Sequence, residues 1–355
     1  MDQGARFPAV AEKAGHYESF YIKACRPGGG RGIWIRHTVH KRPGAEPNAS
    51  IWFVLFDREA DAPRATKVTV PAAELSTPAG SWIRVAGAEI GPGYARCAAT
   101  FPGLSGISRS GSEEAAISWD LTFSGDSDPC KYLPADWLYK APVPRTKFVA
   151  PYPRASFDGK LELDGETIDI SGWPGMIGHN WGTEHAERWV WLEGTGFADD
   201  PDAYFDAGAA RIKLGSRTTP WLPSGFLKLD GVAHRLGGFS KIRSASIRES
   251  HEACEFVLPG KDIVVRGKVS APKKDFVAWI YADPKGPEHN TINCSVCDLE
   301  LTIEEPDHAP RRLTLPAGAA YELGMRETTH GIPVQPFADG DLGVDSPAPP
   351  PGTAE

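Results

Sequence analysis

Strict alternation of apolar and polar residues constrains this chain more than any other feature. Ile117-Ser118-Trp119-Asp120-Leu121-Thr122-Phe123 puts an apolar side chain at every second position. That spacing gathers them on one face of a β-strand but scatters them around a helix. Ile33, Ile35 and Val39 alternate with mostly polar neighbours in the same way. Ser50-Ile51-Trp52-Phe53-Val54-Leu55-Phe56 is apolar at both parities and predicts a strand covered on both faces. Further strands are expected at 67–70, 82–85, 160–163, 167–170, 188–192, 209–214, 225–229, 263–269, 276–281 and 297–303. No segment sustains helical periodicity, and 38 glycines with 32 prolines suit short strands joined by turns. The chain reads as all-β and antiparallel, with few short helices.

At 355 residues the chain is long enough for two domains. Trp119-Asp120-Leu121-Thr122-Phe123 matches Leu299-Glu300-Leu301-Thr302-Ile303 in residue class at every position. The echo favours a duplicated barrel or sandwich. Pro142, Pro144, Pro151 and Pro153 crowd residues 136–154. Proline removes ladder donors, so this stretch reads as the connection between halves. The expected division is an N-terminal extension (1–14), a first barrel (15–148), a second barrel (149–337) carrying the motif discussed below, and a disordered acidic, proline-rich tail (338–355).

Several function classes are disfavoured. The net charge is −8 and the basic clusters are only pairs, Lys41-Arg42 and Arg311-Arg312, which argues against nucleic acid. No apolar run is long enough to span a bilayer, and the first residues lack a signal-type apolar core. Six cysteines without such a signal point to reduced thiols and a cytoplasmic protein. Cys294-Ser295-Val296-Cys297 has no second C-x-x-C, and on a strand its cysteines would face opposite sides, so both read as structural. There is no nucleophile elbow, no P-loop and no G-x-G-x-x-G after a strand, and Gly28-Gly29-Gly30 reads as a hairpin turn. No cofactor is expected.

Chemistry concentrates in Gly172-Trp173-Pro174-Gly175-Met176-Ile177-Gly178-His179-Asn180-Trp181-Gly182-Thr183-Glu184-His185. Its glycines and proline permit tight turns, so it reads either as a structural corner or as a ligand-contacting loop. His179 and Asn180 offer directional hydrogen bonds to backbone or ligand, with Trp181 as a wall. His179, Glu184 and His185 lack H-E-x-x-H spacing, and the flanking glycines oppose a helix, so no metal is expected. Downstream, Trp189, Trp191 and Glu193 share one strand face, and Val190 and Leu192 the other. A carboxylate in line with two indoles is partly desolvated and its pKa rises, as a general acid needs; at a strand end in water it would not. Arg326 between Glu322 and Glu327 reads as an ion-pair network, and His37 beside Ile35 and Val39 as a core histidine.

Gly178-His179-Asn180-Trp181-Gly182, followed by the Trp189/Trp191 strand, resembles the HNWG signature of the carotenoid 1,2-hydratase-like (hydroxyneurosporene synthase-like) and AttH-like proteins. The same superfamily is similar to tocopherol cyclase and to lipocalin-like Diels–Alderases. Tyr17–Lys23, Trp34 and the 51–56 strand also resemble the opening of this group. The likeness spans about residues 15–335. It implies two tandem lipocalin-like antiparallel β-barrels with an apolar pocket in or between them, and cofactor-free handling of polyene or terpenoid-like molecules. In the hydratase pattern an Asp before HNWG is the proton donor; here that position is Gly178.

Taken together, these features lead us to expect a cofactor-independent lyase, isomerase or cyclase for a hydrophobic small molecule, with a non-catalytic carrier of such a ligand as the alternative. The candidate catalytic residues are His179, Asn180, Glu184 and Glu193. The candidate pocket residues are Trp34, Trp52, Trp181, His185, Trp189 and Trp191.

Overall fold

The computed structural model describes residues 4–11, 13–104, 115–126, 128–286 and 288–336. The expected tail at 338–355 lies outside the described residues. The strands of the first sheet are β1 (His16–Cys25), β2 (Arg31–Lys41), β3 (Asn48–Asp57), β4 (Arg64–Pro71), β5 (Leu75–Ser76), β6 (Ile83–Val85), β7 (Ala88–Gly91), β8 (Tyr94–Phe101), β9 (Ala115–Asp126), β10 (Cys130–Lys131), β11 (Thr146–Leu163), β12 (Glu166–Asp169) and β13 (Trp173–Gly182). The second sheet holds β14 (Arg188–Thr195), β15 (Tyr204–Arg211), β18 (Leu222–Leu229), β19 (Val232–Gly237), β20 (Ser246–Glu249), β21 (Ala253–Pro259), β22 (Val264–Ser270), β23 (Val277–Tyr281), β24 (His289–Glu304) and β25 (Arg311–Met325). A small hairpin pairs β16 (Lys213–Leu214) with β17 (Arg217–Thr218). Helix among the described residues is limited to 3-10 turns such as Phe7–Ala9 and Asp136–Tyr139.

Both large sheets are antiparallel throughout. The first runs β4-β3-β2-β1-β13-β11-β9-β8-β7-β6-β5, and the second β19-β18-β15-β14-β25-β24-β22-β21-β20. One sheet forms a nearly closed barrel and the other a half-barrel, an all-β arrangement of two barrels in tandem. A bridge between Leu236 and Gly260 draws the two flanks of the second sheet together.

The motif strand corrects the sequence reading. Trp173–Gly182 is neither a corner nor part of the second sheet: it is β13, paired between β1 and β11 of the first. Gly178 lies opposite Tyr21, and a Cβ there would collide with the Tyr21 ring, so the glycine admits an aromatic neighbour instead of making a turn. The expected edge at 148/149 falls inside β11, whose residues on both sides belong to one strand. Pro151 and Pro153 sit where β11 slips register against β13, the irregular positions at which a strand tolerates proline. The chain crosses between sheets at 183–187 instead.

The two sheets pack face to face around β3, as its sequence requires. Ile51, Phe53 and Leu55 enter the first core, while Trp52, Val54 and Phe56 enter the second. Cys294 and Cys297 do not end on opposite sides: a register shift in β24 between them returns both to the second core. All six cysteines are buried and unpaired.

Candidate functional site

Alternation on β13 divides the motif between two environments. His179 and Trp181 point into the first barrel, and Gly178 and Asn180 face the second sheet. His179 Nε2 lies 2.8 Å from Glu18 Oε1, and the ring stacks on Phe20 at 3.9 Å. Glu18 also accepts the backbone N–H groups of Arg6 and Phe7, each at 2.7 Å, and lies 3.3 Å from His16 Nε2. Burial pushes the Glu18 carboxyl up, but His16 and His179 outweigh it and hold it at about 2. Burial holds His179 below its ordinary value, against the opposing pull of Glu18. The residues at 6 and 7 thus close the barrel over a carboxylate–imidazole pair, with Tyr139 and Val149 packed on Trp181.

The other face of β13 opens on a layer between the sheets, lined by alternate residues of β1, β14, β15 and β25. Glu193 is 1% exposed, so it is not a strand end in water. Its Oε2 lies 2.6 Å from Lys23 Nζ, and its Oε1 accepts the Thr195 hydroxyl at 2.9 Å. Lys23 Nζ also donates to the Gly318 carbonyl at 2.6 Å. Directly across the ladder from Glu193 is Asp206, fully buried, whose Oδ1 accepts Trp191 Nε1 at 2.9 Å. Burial raises the Asp206 carboxyl to about 7; the Tyr132 phenol and Trp191 indole pull it down, and Glu193 pushes it up. Around them, Trp191, Tyr132, Tyr204 and Met176 pack with the partly buried rings of Tyr21, Phe148 and Phe226. Burial, followed by the charges of Asp206 and Glu322, carries the Tyr21 phenol well above its ordinary value.

A second polar group continues this layer. Trp189 lies over Gly324, where any Cβ would strike the indole, and its Nε1 donates to Glu322 at 2.8 Å. The Tyr281 hydroxyl donates to Glu322 at 3.2 Å. Arg36 lies over the Tyr281 ring at 4.2 Å and over Trp52 at 5.2 Å, a cation set among aromatic faces. His185 stacks on Tyr17 at 4.0 Å and takes part in a pair with Asp283 at 2.6 Å. Arg326 reaches Glu187 at 3.4 Å, while Glu322 accepts from Trp189 and Tyr281 and Glu327 pairs with Arg188.

The expected site residues therefore separate. Asn180, His185, Trp189, Trp191, Glu193, Trp34 and Trp52 line or back the inter-sheet layer, and Asn180 Oδ1 has no hydrogen-bond partner there. His179 and Trp181 are on the far side of β13. Glu184 is a surface residue paired with Arg145. His37 is buried in the first barrel with neither ring nitrogen hydrogen-bonded, and burial lowers it to about 4. Sequence reading missed Tyr21, Lys23 and Asp206. A signal existed for Asp206: it shares a strand face with Tyr204, while Phe205 and Ala207 alternate into the core. Asp283 and His289 carry no local signal. A groove on the outer face of the second sheet is lined by Arg248, Glu255, Arg266, Lys268 and Glu300, charges unsuited to an apolar ligand.

No protein-family model matches the chain. Over 328 residues it is 24% identical to the uncharacterized protein Rv0493c of Mycobacterium tuberculosis, covering 92% of this chain and 91% of that one. Among solved structures it is similar to CghA, with TM-score 0.54 and 11% identity over 88% of both chains. It is also similar to an AttH-like protein of Nitrosomonas europaea, with TM-score 0.49 and 12% identity over 91% of this chain and 97% of that one. The likeness to CghA is one of fold. Among the described residues no helix is long and apolar enough to cross a membrane.

Proposed function

We propose that this chain is a cofactor-independent lyase, isomerase or cyclase of hydratase type, acting on a hydrophobic, terpenoid- or polyene-like small molecule held between the two sheets. One observation carries the reading. Asp206 is buried against an indole with its carboxyl at about 7, so it retains a proton to give near neutral pH. Trp191 and Tyr21 supply the π faces that stabilise a nearby cation. Glu193 is the neighbouring carboxylate, matched in charge by Lys23. Asn180, with its unpartnered oxygen, orients substrate or water. The sequence resemblance to HNWG proteins supports the substrate class, and Asp206 takes the part of the acid missing at Gly178.

In this mechanism the Asp206 O–H bond breaks as a C–H bond forms on an alkene carbon, leaving a carboxylate and a carbocation. Water attack, with a proton returned to Asp206, completes hydration. Loss of an adjacent proton to Asp206 completes isomerisation; attack by a second alkene of the same molecule closes a ring and moves the cation to that alkene's other carbon, which then loses an adjacent proton to Asp206. His179 has no direct part in it; it holds the barrel mouth on the far side of β13.

The test is incubation of the purified protein with an apolar extract of its host cells in D2O, read by mass spectrometry. A polyene or terpenoid should gain deuterium, and Asp206→Asn should slow this by at least about 100-fold while remaining folded. A ligand that binds and returns unchanged, without deuterium, would overturn the reading in favour of a lipocalin-like carrier.

A further inference from the structure

We propose that His185, Asp283 and His289 form a binding site for one first-row divalent cation, of which Zn2+ is the natural probe. The three residues come from separate segments: the crossover at 183–187, the turn after β23, and the start of β24. Each offers one ligand atom within 4.8 Å of the other two. All three are at least nine-tenths buried, with exposures of 9%, 4% and 0%. Each also keeps a buried polar atom with no hydrogen-bond partner: His185 Nε2, Asp283 Oδ2 and His289 Nε2. Such atoms carry a desolvation cost that a bound ion would remove.

The donor chemistry fits the ion. Two imidazoles and one carboxylate are a borderline set suited to zinc and its first-row neighbours, which hold such donors at about 2.0–2.2 Å. Ligand atoms then lie roughly 3–3.5 Å apart, so a separation of up to 4.8 Å closes by about 1.3–1.8 Å when the ion binds. His185 Nδ1 is hydrogen-bonded to Asp283 Oδ1 at 2.6 Å, which leaves His185 Nε2 for the ion, and His289 Nδ1 is 3.7 Å from Asp283 Oδ2. Arg326 is the opposing charge, its NH1 3.5 Å from His289 Nδ1; the Glu288 carbonyl at 2.9 Å and Glu187 at 3.4 Å hold it on their side. Aromatic rings of Tyr17, Trp189 and Tyr281 wall the cluster. Three protein ligands leave a position for water.

The expected role is mechanical. The ion would fasten the crossover between the sheets to β23 and β24 at the end of the layer formed by His185 and Trp189. It takes no part in the Asp206 chemistry, so its failure and the failure of the proposed reaction are read separately. The folded wild-type chain is titrated with Zn2+ by calorimetry and with Co2+ by visible absorption. One equivalent should bind, Co2+ should give the d–d bands of a low-coordinate N/O site, and the thermal midpoint should rise with free Zn2+. Asp283→Asn and His289→Ala should each weaken binding by at least about 100-fold. His308→Ala, which alters an exposed histidine, should leave it unchanged. Absence of saturable zinc binding to the folded wild type would overturn the proposal, whatever the variants do. So would binding that survives both Asp283→Asn and His289→Ala.

Discussion

Glu18 and Asp206 are two buried carboxylates on β-strands, 1% and 0% exposed, yet burial leaves them in opposite states. Glu18 is held at about 2 and Asp206 is raised to about 7. Each loses the same solvent. Glu18 gains two histidine rings and the N–H groups of Arg6 and Phe7. Asp206 gains one indole N–H and the phenol of Tyr132, with Glu193 as a like-charged neighbour. The number of donors and the sign of the nearest charge therefore decide the outcome, not depth. Glu18 serves as a fixed anion that ties the N-terminal segment to β1 and β13. Asp206 is able to exchange a proton.

The largest expected effect comes from the cation beside that second site. Lys23→Met strands Glu193 as an unpaired buried carboxylate and should cost about 3–5 kcal/mol in urea unfolding. A loss near zero would mean that the buried Lys23–Glu193 pair contributes little to the fold and that the two buried carboxylate environments differ less than their partners suggest. A pH series of unfolding midpoints probes the comparison directly. The folded value of Glu18, about 2, lies below its ordinary 4.5, so its contribution is present above pH 4.5 and lost as pH falls towards 2. The folded value of Asp206, about 7, lies above its ordinary 3.8, so its contribution is present below pH 3.8 and lost as pH rises through 7. Glu18→Gln should flatten the acid limb, and Asp206→Asn the decline towards neutrality. Identical profiles for the two variants would break the comparison. The smallest effect belongs to Glu184→Ala: its exposed pair with Arg145 is worth about 0–1 kcal/mol, and turnover should be unchanged.

Much of the fold was legible in residue alternation. The two-faced apolar run of β3 announced a strand covered on both sides, and on β14 parity placed Trp191 in the layer and Val190 and Leu192 in the core, with Trp189 packed at the edge of that core. The site was legible only in part. The sequence marked Glu193 and both indoles but could not pair Glu193 with Lys23, because the partners lie on different sheets. It marked His179 and Asn180 as a unit, although strand alternation sends them to opposite sides. The glycine-rich motif read as a turn because glycine permits positive φ; in the tertiary structure Gly178 instead makes room for Tyr21.

Sequence by itself determined the all-β class, the strand faces and the wealth of aromatic side chains, since these follow from period-two patterning along a single chain. Tertiary structure alone decided that β13 joins the first sheet, that Asp206 stands beside Glu193, and that His185, Asp283 and His289 meet. These depend on which strands become neighbours, and on how many donors surround a carboxylate once water has left. Contacts between residues more than a hundred positions apart, such as Lys23 with Glu193 or His185 with His289, leave no periodic trace in the local sequence.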